Sequence, residues 1–154
     1  MQNLVSTNAE RSAWLGVMSR ARKGELEMLA NEIVSGISFE RLRPSHVGLV
    51  MVRGRGGGTG VVFNLGEMTI ARASIQLPGG VVGHGYSQGR SKRQAETAAV
   101  LDALLQQEDR RAEILSAVIE PLRAKAEARR LERSRKAAST RVEFFTVARG
   151  EDPE

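Results

Sequence analysis

This chain of 154 residues contains no cysteine. Disulfides, thiolate metal sites and cysteine nucleophiles are therefore excluded together. Aromatic side chains are scarce, at one tryptophan, one tyrosine and four phenylalanines. Base stacking needs exposed aromatics, and Trp14, Phe63 and Phe144 read more easily as core. Long apolar runs are also missing: each spans only a few residues, far below the ~20 that cross a bilayer. The opening MQNLVSTNAERSAW lacks a basic stretch followed by a long apolar one, so a signal peptide is not expected. A cytoplasmic protein with no membrane partner fits these absences.

What is present is an ordinary apolar content and a formal charge of +5. The length suits one domain with a real core and an appended arm, here 1–154 with a helical arm and final strand at about 121–150. Residues 121–136, PLRAKAEARRLERSRK, hold seven basic side chains against two acidic ones. Such a balance suits an anionic partner, although solvated arginines produce the same balance.

The hydrophobic period divides the chain. Over 7–22 it predicts a helix, with Thr7 and Glu10 at capping-box spacing and Trp14, Val17, Met18 and Ala21 on one face. Gly24 stops it. Leu26, Leu29, Ala30 and Ile33 form a second helix that Gly36 ends, and Arg43-Pro44 marks a break. VGLVMV (47–52) is a continuous apolar run, as in a buried strand. In VVFNLG, Val61, Phe63 and Leu65 share a face. From Thr69 onward, Thr69, Ala71, Ala73, Ile75 and Leu77 alternate with Ile70, Arg72, Ser74 and Gln76. Pro78-Gly79-Gly80 turns the chain, and VVGHGYS returns as a paired strand. Helix resumes over 90–107 with the stripe Ala95, Ala98, Leu101 and Leu105. A further helical segment runs to Glu120 with Ile114, Leu115, Val118 and Ile119 inside. Pro121 imposes a kink or a fresh start. The segment beyond it is helix-prone but apolar-poor, with Leu122, Ala126 and Leu131. RVEFFTVARG (141–150) reads as a last strand. The expected class is α+β, an antiparallel sheet of about four to five strands flanked by N-terminal and C-terminal helices.

Five glycines stand in RGRGGGTG (53–60). A phosphate-binding P-loop needs a lysine and a hydroxyl after its last glycine and a helix opening there. A dinucleotide fingerprint also needs strand, turn, helix. Here Gly60 leads into Val61-Val62-Phe63, a strand pattern, and both motifs fail. A connection between strands with several positive-φ positions explains the backbone. Arg53 and Arg55, beside Gly57 and Gly58, can still hold an anion or a partner's carboxylate.

Other candidates are single residues. His84 lies in VGHGY between two glycines that remove bulk beside it. His46 has no acidic or histidine neighbour at ligand spacing, and no metal site is expected. Glu67 is a strand-end carboxylate or an arginine partner, and Arg72 is a cation on an alternating strand. Phe144 and Phe145 cannot both enter one core from a regular strand. With Arg149 they suit a partner-docking arm or a strand buried on both sides. No nucleophile elbow or complete catalytic set is present.

Taken in order, GLVMVRGRGGGTG, FNLGEMT, GHGYSQGRSKRQAE and VEFFTVARG, with the early RSAWLGVM, resemble the PhnG-type subunit of the bacterial carbon–phosphorus lyase system, which degrades phosphonates. The resemblance covers about residues 9–150. The family commonly has aspartate where Ser91 stands and histidine where Gln94 stands. The resemblance implies a non-catalytic or accessory subunit of a core complex with PhnI-, PhnH- and PhnJ-type subunits and a PhnL-type ATPase. That complex transfers ribose triphosphate from ATP to a phosphonate, displacing adenine. A radical step on another subunit later breaks the C–P bond. The chain is then expected to hold no cofactor of its own, with ATP a substrate of the complex. Two other classes remain: a basic RNA-binding module using the arginine-rich helix and RGRGGG, and a stand-alone hydrolase using His84 and Glu67. Nucleic acid is not the expected partner.

Overall fold

The structure, a computed structural model, describes residues 2–140, with side chains from residue 8 onward. The expected last strand at 141–150, with Phe144, Phe145 and Arg149, lies outside the described residues. Two helices, α1 (Gln2–Ser19) and α2 (Glu25–Val34), come first. Three strands follow, β1 (Glu40–Arg55), β2 (Val62–Gln76) and β3 (Val82–Gln88). Then come α3 (Lys92–Leu105), α4 (Glu108–Ile114), a π segment (Leu115–Ile119) and α5 (Glu120–Ser139). The class is α+β, and the sheet is an antiparallel meander in the order β1-β2-β3.

α3 organises the core. Its apolar stripe is wider than Ala95, Ala98, Leu101 and Leu105: Ala99, Val100, Ala103 and Leu104 are buried as well. A helix buried on every side sits between layers, and α3 lies between the sheet and a cover of α1, α2 and the α4–π segment. Ala71, Ala73, Ile75 and Leu77 enter the core from β2 as their alternation predicts. β3 approaches α3 closely because Gly83 and Gly85 have no side chains. A Cβ at Gly85 would meet Ala95 O and come within 2.5 Å of Ala99 N. The two glycines therefore serve the helix seam on the core face and do not clear space around His84, which points the other way.

Several expectations are corrected. The stretch QNLVST contains no glycine or proline, so α1 starts earlier than residue 7. Thr7 falls inside the helix, not at the N-cap position expected of it. The helix also ends at Ser19, and Ala21 reaches the core from the following turn. The two segments 61–65 and 69–77 are one strand, β2. Only its register slips, with Val52 opposite Gly66 and Arg53 opposite Asn64, which leaves Leu65 as an extra residue. Three described strands therefore replace the expected four to five. Arg43-Pro44 does not end an element. Pro44 cannot donate to the ladder, and β1 absorbs it in an irregular stretch between Arg41 and His46.

VGLVMV is a strand, as expected, but it is not buried: Leu49 is 59% and Met51 52% exposed. Phe63, expected in the core, is 47% exposed, and Leu65 is 65% exposed. β3 pairs only with Ile70–Gln76 of β2. From Leu49 to Arg55 and Val62 to Thr69, β1 and β2 run on as a two-stranded ribbon past the third strand.

Pro121 gives a fresh start through a one-residue expansion. The Glu120 N–H bonds to Leu115 O, an i to i−5 contact, directly before the residue that would otherwise break the ladder. Ile114, Val118, Ile119 and Leu122 stay buried across the junction. Beyond Leu122, α5 is exposed apart from Arg129, whose Nη1 lies 2.8 Å from Glu25 Oε1.

Candidate functional site

Two groups of expected residues separate in space. Arg53, Arg55, Gly57 and Gly58 sit at the ribbon tip, and Arg72 and His84 lie on the open face of the sheet. Val62, opposite Arg55, and Arg72 are ten strand positions apart, about 30 Å at strand rise.

At the tip the glycines make a tight connection. Gly57 (φ 60°) and Gly58 (φ 85°) adopt left-handed backbone, which glycine enters without penalty. Gly60 N donates to Gly56 O at 2.7 Å, and Arg55 Nη1 donates to Gly60 O at 3.3 Å. A strand follows, with no helix N-terminus. The loop is therefore a hairpin turn, and Arg55 partly serves that turn. Arg53 is exposed, and Glu67 stands exposed opposite Met51 on the same ribbon.

The open face is built differently. From Arg43 to His46 is three steps on β1, but their partners Ser74 and Arg72 are two steps apart. In a regular strand an odd separation puts two residues on opposite faces. The extra residue brings Arg43 and His46 onto the same one. β2 and β3 continue the pairing, with Ser74 opposite His84 and Arg72 opposite Tyr86. The result is two rows across three strands: Arg43, Ser74 and His84, then His46, Arg72 and Tyr86. These six line a cleft of about 360 Å³ with Leu42 and Ala73. Arg72 Nε donates to His46 Nε2, so His46 there is the tautomer with its proton on Nδ1. Ser74 Oγ and His84 Nδ1 share a hydrogen bond of 3.0 Å.

Sequence reasoning identified Arg72 and His84 but not Arg43, His46, Ser74 or Tyr86 as their neighbours. The available signal was Pro44 within a strand pattern, which marks a bulge and so a change of face. It also missed Asp102, a carboxylate inside the apolar stripe of α3. Asp102 is buried and accepts from Arg11 Nη2 at 2.7 Å, Arg11 Nε at 3.1 Å, Trp14 Nε1 at 2.9 Å and the backbone N of His84 at 2.8 Å. It thereby ties α1, α3 and β3 at one point, behind the open face.

Glu96 pairs with Arg41 at 2.9 Å and accepts from Ser45 Oγ. The hydrogen bond from Arg41 holds the Glu96 carboxyl below the usual glutamate range, against partial burial, which pushes it up. The same pair raises the Arg41 guanidinium. These contacts anchor the irregular start of β1 to α3.

The stretch RSKRQAE opens α3. Ser91 caps it, its Oγ accepting from Gln94 N at 3.2 Å. Buried Gln94 donates from Nε2 to Ala21 O at 2.9 Å and secures the α1–α2 link. These are structural roles and require no chemistry at either position. Among the described residues no group of three or more histidine and acidic side chains is placed to hold a metal. No helix there is long and apolar enough to cross a membrane.

A family model described as phosphonate metabolism protein PhnG matches residues 9–150. A protein of Rhizobium meliloti (strain 1021), alpha-D-ribose 1-methylphosphonate 5-triphosphate synthase subunit PhnG, is 41% identical over 144 residues, covering 94% of this chain and 92% of its own.

Proposed function

Because this chain belongs to the PhnG family of phosphonate metabolism proteins, we propose that it is a non-catalytic subunit of a ribose 1-methylphosphonate 5-triphosphate synthase within a C–P lyase core complex. The complex transfers ribose 5-triphosphate from ATP to a phosphonate. ATP is its substrate, this subunit carries no cofactor, and the work is cytoplasmic. The partners are PhnI-, PhnH- and PhnJ-type subunits, with a PhnL-type ATPase.

The observation that carries the reading is the β1–β2 ribbon. Leu49, Met51, Val62, Phe63 and Leu65 are exposed on a strand pair that extends past the rest of the sheet. Large exposed apolar patches mark interaction surfaces. A run such as VGLVMV is patterned for burial on both faces, and a second protein supplies the cover that the described residues lack. Arg53 and Arg55 at the tip then meet an anionic group at that interface. The exposed length of α5 is a second contact.

The test is co-expression with a PhnI-type subunit. Each of Phe63 and Leu65 contributes about 1.5–3 kcal/mol if fully buried by a partner. The double variant Phe63→Asp, Leu65→Asp is expected to keep the thermal melt of the free chain and to lose co-purification. Co-purification at the wild-type level refutes the ribbon as the interface. The free chain with ATP and methylphosphonate is expected to release no adenine.

A further inference from the structure

We propose that the open face of the sheet carries a binding site for a phospho-oxyanion, a phosphate or phosphonate dianion, held by Arg43, Arg72, His84 and Tyr86. This assignment rests on the strand geometry and stands apart from the assembly reading.

Charge comes first. Two guanidiniums share a cleft whose lining contains no carboxylate. Four described arginines are ion-paired, among them Arg11 with Asp102, Arg41 with Glu96 and Arg129 with Glu25. Among the described residues neither Arg43 nor Arg72 makes an ion pair. Like charges held together without a counter-charge are repulsive, and a dianion removes that repulsion.

Donor type and placement come next. Guanidinium, imidazole, serine hydroxyl and phenol all donate to phosphoryl oxygens, and the planar fork of arginine suits two oxygens of one group. The donors sit on strands. The bulge at Pro44 directs Arg43 and His46 to the face that carries Arg72 and His84. Arg72 is held by its bond to His46, which leaves both terminal nitrogens unengaged. Ser74 engages His84 Nδ1 and leaves Nε2 as the ring nitrogen open to a ligand. Behind the sheet, Asp102 fixes the His84 backbone through its N–H. The site is thus assembled before a ligand arrives, which lowers the ordering that binding requires.

The test titrates the isotope-labelled full-length chain with inorganic phosphate, methylphosphonate and tripolyphosphate at constant ionic strength, followed by NMR. Saturable shifts at Arg72, Ser74, His84 and Tyr86 are expected. Arg43→Gln and Arg72→Gln should each weaken binding at least about tenfold, as the loss of one charge-assisted contact does, while keeping the wild-type melting temperature. Arg55→Gln at the ribbon tip should bind as wild type. The tightest of the three ligands identifies the source of the dianion. The site is refuted by absent or unsaturable shifts, by equal shifts with acetate, or by shifts centred on the α5 arginines. Its failure would leave the co-purification result untouched, and loss of co-purification would leave the titration untouched.

Discussion

Replacing Gly85 by alanine tests the seam on which the sheet and the central helix meet. The added Cβ would collide with Ala95 O and lie 2.5 Å from Ala99 N. Both are main-chain atoms of a buried helix, so no side chain can swing away. Overpacking costs about 1–3 kcal/mol, and a collision with backbone belongs at the upper end. For a chain of this size each kcal/mol lowers the melting temperature by about 2–4 °C. Gly85→Ala should therefore melt about 6–12 °C below wild type by circular dichroism or calorimetry. Gly83→Ala should behave similarly, because its Cβ would meet Ala99 O and lie 2.9 Å from Ala103 N. Trimming Ala103 to glycine should rescue Gly83→Ala little, since the main-chain contacts remain. Gly54→Ala is the control: its Cβ would lie 3.8 Å from the Phe63 ring, an ordinary contact, and alanine in a strand stabilises by up to about 1 kcal/mol over glycine. Gly85→Ala melting within about 2 °C of wild type, a shift of under 1 kcal/mol, would show that the seam is looser than described.

Asp102→Ala should lose about 3–5 kcal/mol, because it leaves the Arg11 charge without its buried partner, and Trp14 emission should move to the red; urea melts followed by fluorescence check both, and a loss under about 1 kcal/mol would mean that water replaces the carboxylate. Glu96→Gln should flatten the acid limb of stability. The Glu96 carboxyl titrates lower when folded than an ordinary glutamate, so its contribution is complete above the unfolded value and is lost as pH falls through the lower folded one. Melting temperatures between about pH 5 and 3 should converge for variant and wild type at the acid end, and parallel curves would refute the assignment.

Much of the fold was legible because α3 and β2 carry clean periods and their turns carry glycine. Ala71, Ala73, Ile75 and Leu77 read correctly for the plain reason that one face of β2 is covered by the chain's own helix. VGLVMV misled because apolar density reports that a segment is buried somewhere, not that the same chain buries it. The cleft was half legible. Arg72 and His84 stood on recognisable alternating strands, but Arg43 and His46 reach them only through a bulge, and a bulge changes which residues face each other without changing composition. Asp102 was hidden by its surroundings: a carboxylate in an apolar stripe is explained only by donors that stand far away in sequence at Arg11, Trp14 and His84. The glycines beside His84 were noticed for the wrong reason, since alternation places their missing side chains on the face opposite the imidazole.

The widened turn before Pro121 has a rotational consequence. One residue inserted into a helix advances everything beyond it by about 100°. The insertion lies ahead of the exposed length of α5, with buried Ile114 before it and buried Leu122 just beyond it, so it indexes the arm against the body. Arg129 faces Glu25 in that phase. With the turn closed to ordinary α geometry, the azimuth of each later side chain would slip by a quarter-turn or more, and a different arginine would be presented to α2. Proline at position 121 thus works as the detent that sets which edge of the arm's charge looks outward.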